Sequence, residues 1–560
     1  MHACKRLAFV LCALAGPLLH AQNSTNSATR QKPDPPRMAA RDDITGAVVE
    51  QAERIFGLNF SDEKNEMLIP GLKQQLRLYE NIRKFPLSNS VPSAMLFNPI
   101  PVGRKFETGR KSLKVPPIKA RLPDSPEELA FYSVEQLGAL LKSREITSEK
   151  LTRLYLERLK KQDPILHCVV TFTEDLALEQ ARRADQEIAR GKYRGPLHGI
   201  PYGAKDLLAT KGIRTTWGSA PYTNQVFSED ATVIKRLEEA GAVLVAKLTL
   251  GELAMGDVWF GGKTRNPWNP EHGSSGSSAG SASAVAAGLV GFAIGTETHG
   301  SIVSPCTRCG VTGLRPTYGR VSRAGAMSLS ASMDKIGPIC RTAQDCALVF
   351  NAIYGPDGID QTVYDLPFNY QPKLKLSEMR IGFLKKDFEK ANKTNELAAL
   401  EKLRQLGATL LPMELPKFPL NEIELALEVE AAAAFDDLTR SGQDDRMARQ
   451  TEGAWPNIFR KSRFVPAVEY IQASRIRFLL IQEMARFFKD LDVLVAPSQS
   501  GDSNQLTNQT GHPCVVVPTG FSSGTPTTIC FIGDLFGEAK ILAAARAYQD
   551  GTTFHLQHPH

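Results

Sequence analysis

The chain has 560 residues, 42% hydrophobic and 23% charged, which is globular composition with ample apolar material for a core. A formal net charge of +7, spread along the chain, gives no concentrated basic face, so a nucleic-acid partner is excluded.

Residues 1–21 read as a signal peptide. Lys5 and Arg6 precede the apolar run Leu7–Leu19, which ends near Ala21-Gln22. A run of about 13 apolar residues is too short for a membrane-spanning helix, which needs about 20. Cys12 follows Leu11, not the small residue a lipoprotein signal needs, so the expectation is a soluble, exported chain, periplasmic or secreted, with no stable membrane insertion after cleavage. Residues 22–42, rich in Asn, Ser, Thr, Pro and Arg, read as a disordered leader.

Residues 43–124 form an extension. Apolar spacing in Ile44, Val48, Val49, Ala52 and Ile55, and again in Leu72, Leu76, Tyr79 and Ile82, predicts helices over 43–85. The Pro- and base-rich stretch 86–124 reads as an extended arm. The extension either wraps the catalytic domain or mediates dimerisation, so a homodimer stays open.

From Ser125 to the C-terminus the pattern alternates helices and strands. Ser133-Val-Glu-Gln136 is a capping box. Helices are expected at 147–162, 174–191 and 231–241, with a buried strand at 242–247. Ala282–Leu289 reads as a small-residue helix, 395–485 as mainly helical, and Asp492–Ala496 as a strand. The order predicts an α/β fold with a large sheet covered by helices on both faces. Cys306-Thr-Arg-Cys309 has CxxC spacing but no second ligand pair, so no metal site is expected; buried free thiols are the expectation, with a bridge among Cys306, Cys309 and Cys340 open to an exported chain. His555, His558 and His560 read as a frayed tail.

Three segments carry chemistry. Lys205 in Gly199-Ile-Pro-Tyr-Gly-Ala-Lys205-Asp206 has apolar neighbours, and a buried lysine readily becomes a neutral base. Gly273-Ser-Ser-Gly-Ser277-Ser278-Ala-Gly280-Ser281 feeds a helix, whose entry offers unpaired amides beside a cluster of hydroxyls. Gly295-Thr-Glu-Thr298-His299-Gly300-Ser301 places a serine in a glycine-rich turn where amides can converge on an oxyanion.

In this order the wording resembles the amidase signature family, with its Gly-Ser-Ser-Gly-Gly-Ser-Ala-like loop followed by Gly-Thr-Asp-x-Gly-Gly-Ser-Ile-Arg. The likeness continues through Cys309–Thr317, Gly319–Ser322 and Asp334–Pro338, with Asn266–Pro270 upstream, and is strongest over about 195–355. The resemblance implies a Ser–cis-Ser–Lys triad: Ser301 the nucleophile, Ser277 the bridging serine and Lys205 the base. It implies oxyanion donation by the amides of Thr298, His299, Gly300 and Ser301, support from Ser278, Gly280 and Ser281, and no cofactor. The departures are Ala279 for Gly, Glu297 for Asp, His299 for Gly and Val303 for Arg. His299 either lines the pocket or points away.

The leading expectation is an exported amidohydrolase acting on a small-molecule amide, whether aliphatic, aryl or peptide amide, or a carbamate. The alternatives are an amidotransferase A-type subunit that supplies ammonia to a partner, and a non-catalytic binding protein on the same scaffold.

Overall fold

Eleven strands pair into one mixed sheet in a computed structural model that describes residues 44–84, 87–113, 115–390 and 393–559. The expected signal peptide and leader, and His560, lie outside the described residues. In chain order the strands are β1 (Val169–Phe172), β2 (Pro201–Lys205), β3 (Val243–Leu248), β4 (Phe292–Glu297), β5 (Thr312–Arg315), β6 (Lys335–Cys340), β7 (Ile381–Leu384), β8 (Leu410–Met413), β9 (Val493–Pro497), β10 (Cys514–Ser522) and β11 (Thr525–Gly533). Across the sheet they run β1-β3-β2-β4-β6-β5-β10-β11-β9-β7-β8. β2 is parallel to both of its neighbours, β3 and β4, while β4 is antiparallel to β6 with Lys335 opposite Glu297.

The central strands are apolar on both sides, as a sheet covered on both faces requires. Leu244, Val493, Val495, Val515 and Val517 enter one core with the helices Val134–Ser143, Ala343–Ile353 and Glu538–Asp550. Their neighbours Val243, Val245, Leu494 and Val516 enter a second core with Ser148–Leu166, Glu174–Ala189 and Ala467–Phe487. Strand alternation thus supplies two layers of helices, the α/β architecture expected from the sequence.

Local signals act where they were read. Ser133 and Gln136 form the reciprocal capping box. Helices occupy Gly46–Phe56 and Asp62–Ile82, and the first is closed by Gly57 at φ 67°. The described residues from Leu87 to Asp124 form neither helix nor strand.

Two expectations are corrected. The small-residue helix is Ala279–Ala286, starting three residues early because the serine loop leads straight into it and ending before Gly288, which has φ 64°. The C-terminal tail is docked, not frayed, through residue 559: Phe554–Leu556 is a 3-10 turn and His558 stacks on Phe131 with centroids 3.7 Å apart. The seven described cysteines are buried free thiols, the state expected from the sequence, with no bridge among Cys306, Cys309 and Cys340. Among the described residues no helix is long and apolar enough to cross a membrane.

The helix Ala279–Ala286 is pressed against the ends of β1 and β3, which is why its residues are small. A Cβ on Gly280 would sit 2.5 Å from both the Cys168 oxygen and the Thr249 nitrogen. Gly280→Ala should therefore destabilise the protein by about 1–3 kcal/mol through overpacking. A lowered unfolding midpoint checks this; an unchanged midpoint would contradict the close approach.

Candidate active site

The parallel strands β2 and β4 end side by side, at the edge where α/β sheets commonly hold their ligands. Lys205 closes β2, and Thr296 and Glu297 close β4. Lys205 is fully buried. Its Nζ lies 2.8 Å from Ser277 Oγ, 3.1 Å from Ser278 Oγ, 2.8 Å from Thr296 Oγ1 and 3.3 Å from the Thr296 carbonyl. Burial holds the Lys205 amine well below its ordinary 10.5, against the opposing pull of Asp334 and Glu297.

Proton bookkeeping separates the two serines. Ser278 Oγ donates to the Thr296 carbonyl at 3.0 Å and accepts from the Thr296 amide at 3.1 Å. Its single proton is therefore committed. A neutral amine has one lone pair, and Ser277 Oγ is a hydroxyl with a proton free to give it. The geometry thus distinguishes Ser277 from Ser278 as the hydroxyl able to exchange a proton with Lys205.

The serine loop is tied to the strand ends. The Gly276–Ser277 peptide is cis. A Cβ on Gly276 would fall 1.9 Å from the Gly256 carbonyl, so only glycine fits there. The Ser278 amide donates to the Ser301 carbonyl at 3.0 Å, and Ser281 Oγ donates to the Ile294 carbonyl at 3.0 Å. Ser301 itself is 8% exposed. Lys205, Ser277, Ser278, Ser281 and Ser301 thus converge on the end of β4.

The turn 298–301 follows directly. Gly300 has φ 80°, a left-handed conformation suited to glycine. Among the described residues, none accepts a hydrogen bond from the amides of His299, Gly300 or Ser301. The next two amides are occupied: Ile302 and Val303 donate to Glu297 Oε2 at 2.7 and 2.9 Å. Oxyanion donation is therefore open to the amides of His299, Gly300 and Ser301 and closed to those beyond. The Thr298 hydroxyl donates to Asp334 at 2.6 Å. The His299 ring turns to Glu424 on the helix Leu420–Ala434, with Nδ1 2.7 Å from Oε1.

Glu297 anchors this turn. Its Oε1 accepts from Arg315 at 2.7 Å and from Asn508 at 2.8 Å. Burial alone would push the carboxyl up; the Arg315 charge and hydrogen bond outweigh it and, with Lys335 and the Val303 amide, hold it at about 2. Thr296, Asp334, Arg315, Glu424 and Asn508 were not singled out from the sequence. Arg315 lies within the Cys309–Thr317 block that carries the resemblance, but nothing in its spacing says that it meets Glu297.

Beside the site opens a cavity of about 880 Å³ whose wall includes Thr296, Thr298, Leu207 and Ile336, with residues 87–98 of the arm on its outer side. Among the described residues no group of His, Cys, Asp and Glu is arranged to hold a metal.

The family model described as Amidase matches residues 150–516. The chain belongs to the amidase family. The A-type subunit of glutamyl-tRNA(Gln) amidotransferase from Moorella thermoacetica is 36% identical over 483 residues, covering 77% of this chain and 99% of that protein. The native peptide amidase of Stenotrophomonas maltophilia superimposes with a TM-score of 0.69 at 32% identity, over 76% of this chain and 98% of that one. The corresponding A-type subunit from Thermotoga maritima superimposes with a TM-score of 0.61 at 28% identity, over 75% and 95%. This amidase-family chain is accordingly an enzyme of amide C–N chemistry, and residues 43–124 precede the stretch that the family model matches.

The ion pair under the turn sets an acid limit. Glu297 is depressed from its ordinary 4.5 to about 2, so its contribution to stability is full above 4.5 and is lost as pH falls toward 2. Glu297→Gln should flatten this part of the stability–pH curve. Arg315→Met should cost about 3–5 kcal/mol, because it leaves a buried carboxylate unpaired. Denaturation across pH checks both; wild-type curves for either variant would contradict the anchoring role.

Proposed function

We propose that this chain cleaves a carboxamide C–N bond through an acyl-enzyme on Ser301. The observation that carries the reading is the 2.8 Å contact between buried Lys205 and Ser277. Neutral Lys205 takes the Ser277 proton as Ser277 takes that of Ser301, and Ser301 Oγ adds to the amide carbonyl. The amides of Thr298, His299, Gly300 and Ser301 face the resulting oxyanion; the free amides of the last three support this most directly. The tetrahedral species collapses as the C–N bond breaks: Ser277 gives a proton to the departing nitrogen and is reprotonated by Lys205, which becomes neutral again. Water, deprotonated through the same relay, then hydrolyses the ester and frees Ser301. Ser278, Gly280 and Ser281 hold the loop against the strands.

Two fates for the released nitrogen follow. In the first, ammonia or an amine leaves to solvent, as in a free-standing amidohydrolase; the peptide amidase likeness supports this. In the second, the chain is an amidotransferase A-type subunit that passes ammonia to a partner. The amidotransferase relatives, matched over nearly their whole length, fit this second reading better. The leader-like residues 1–21 support export, which would separate the chain from tRNA charging and favour the first.

Ser301→Ala should lower turnover of any amide substrate by at least about a thousandfold while leaving the unfolding midpoint in place. A fluorophosphonate should label the wild type on Ser301 and not the variant. Turnover by purified Ser301→Ala at the wild-type rate would refute the assignment. Purification from the native host distinguishes the fates. A stable complex, with glutamine as the preferred amide, supports the amidotransferase; a lone mature chain starting near Gln22 outside the cytosol supports the amidohydrolase.

A further inference from the structure

The arm that precedes the family match forms the outer wall of the cavity beside Lys205, and its backbone is fixed there. Asn89 donates to the Ser328 carbonyl at 2.8 Å and accepts from the Ser328 amide at 2.8 Å. Phe97 is held between the Tyr318 ring, at 5.0 Å edge-to-face, and the Arg477 guanidinium, 3.8 Å from its ring centre. Asn98 Oδ1 accepts from Tyr364 at 2.9 Å. Between these pins stand Leu87, Val91, Met95 and Leu96, which line the cavity yet remain 59%, 54%, 67% and 51% exposed. Four large apolar side chains on a pinned segment, facing a cavity and joining no core, call for an apolar occupant.

The charged groups of the wall point the same way. Glu430 accepts from Ser330 Oγ, the Ser332 amide, Ser332 Oγ and Tyr470. Arg477 donates to Ser332 and to the Gln509 carbonyl. Arg323 is paired with Asp360, and Asp334 accepts from Thr298 and from the Leu329 and Ser330 amides. Each of these charges, like that of Lys335, which donates to the Met333 carbonyl, is spent on the protein, so none is left to draw a charged ligand. A volume of about 880 Å³ is far larger than a short aliphatic amide fills.

We infer that residues 87–98 are a specificity-determining wall, and that the substrate is a carboxamide carrying an extended apolar group which packs against Leu87, Val91, Met95 and Leu96 while its carbonyl lies at Ser301. The inference rests on the amide-cleaving reading of that site. Residues 87–98 lie outside the stretch that the family model matches, which begins at residue 150.

The test uses two matched pairs on the full chain: octanoyl- against acetyl-4-nitroanilide for the acyl side, and N-octyl- against N-methylacetamide for the amine side. Val91→Asp and Leu96→Asp, singly and together, place a charge in the wall; Asn89→Ala removes a pin without adding one. The wild type should prefer the long member of at least one pair, and the variants should lose at least about tenfold of that preference in kcat/KM. A preference unchanged by the variants, or a parallel fall for both members of a pair, would overturn the inference. If the wild type cleaves neither pair, fluorophosphonate labelling of Ser301 decides the amide-cleaving reading separately. The dissociation constant of octanoyl-4-nitroanilide then decides the wall: at least about tenfold weaker binding in the Asp variants supports it, and equal or absent binding overturns it.

Discussion

The site depends on taking one amine out of water. Lys205 closes a buried strand in a place where a charged ammonium is costly, and the protein offers it hydroxyls and one carbonyl in place of a carboxylate. Nearby Glu297 could have served as its counter-ion. It does not, because Arg315, Asn508 and the Ile302 and Val303 amides consume its lone pairs. Two buried charges are thereby paired with each other, while burial holds the lysine amine well below its ordinary value. The turn held by Glu297 is the one that presents Ser301.

Placement follows from the sheet. Adjacent parallel strands bring Lys205 and Thr296 to one edge, and a helix whose first turns are Ala, Gly and Ser can approach them closely enough for Ser281, and Ser278 just before it, to bond strand carbonyls. Larger side chains in that helix would push the serine loop away. Small residues here are a positional requirement, and Gly276 and Gly300 meet it on either side of the site.

Much of this was legible because short-range chemistry writes itself into sequence. The capping box, the apolar strands and the Lys205, Ser277 and Ser301 segments were readable from spacing, and the resemblance put the three in one site. The Glu297–Arg315 pair and the Asp334–Thr298 bond were not readable. They join side chains brought together by strand pairing and helix packing, which no local pattern encodes. Apolar periodicity starts the small-residue helix three positions late, since it ignores serines that enter a helix directly. Sequence alone allows His299 two orientations, because its partner, Glu424, lies 125 residues away.

The central claim is that a neutral Lys205 draws the proton from Ser301 through Ser277. The most direct measurement is the second-order rate of Ser301 labelling by a fluorophosphonate as a function of pH, in wild type and in Lys205→Ala. With Lys205 as the base, the wild-type rate rises with pH along a single titration whose midpoint lies well below the ordinary lysine value of 10.5, and above that midpoint the variant is slower by at least about a hundredfold. A pH-independent wild-type rate, or a variant that labels as fast as wild type, would contradict it.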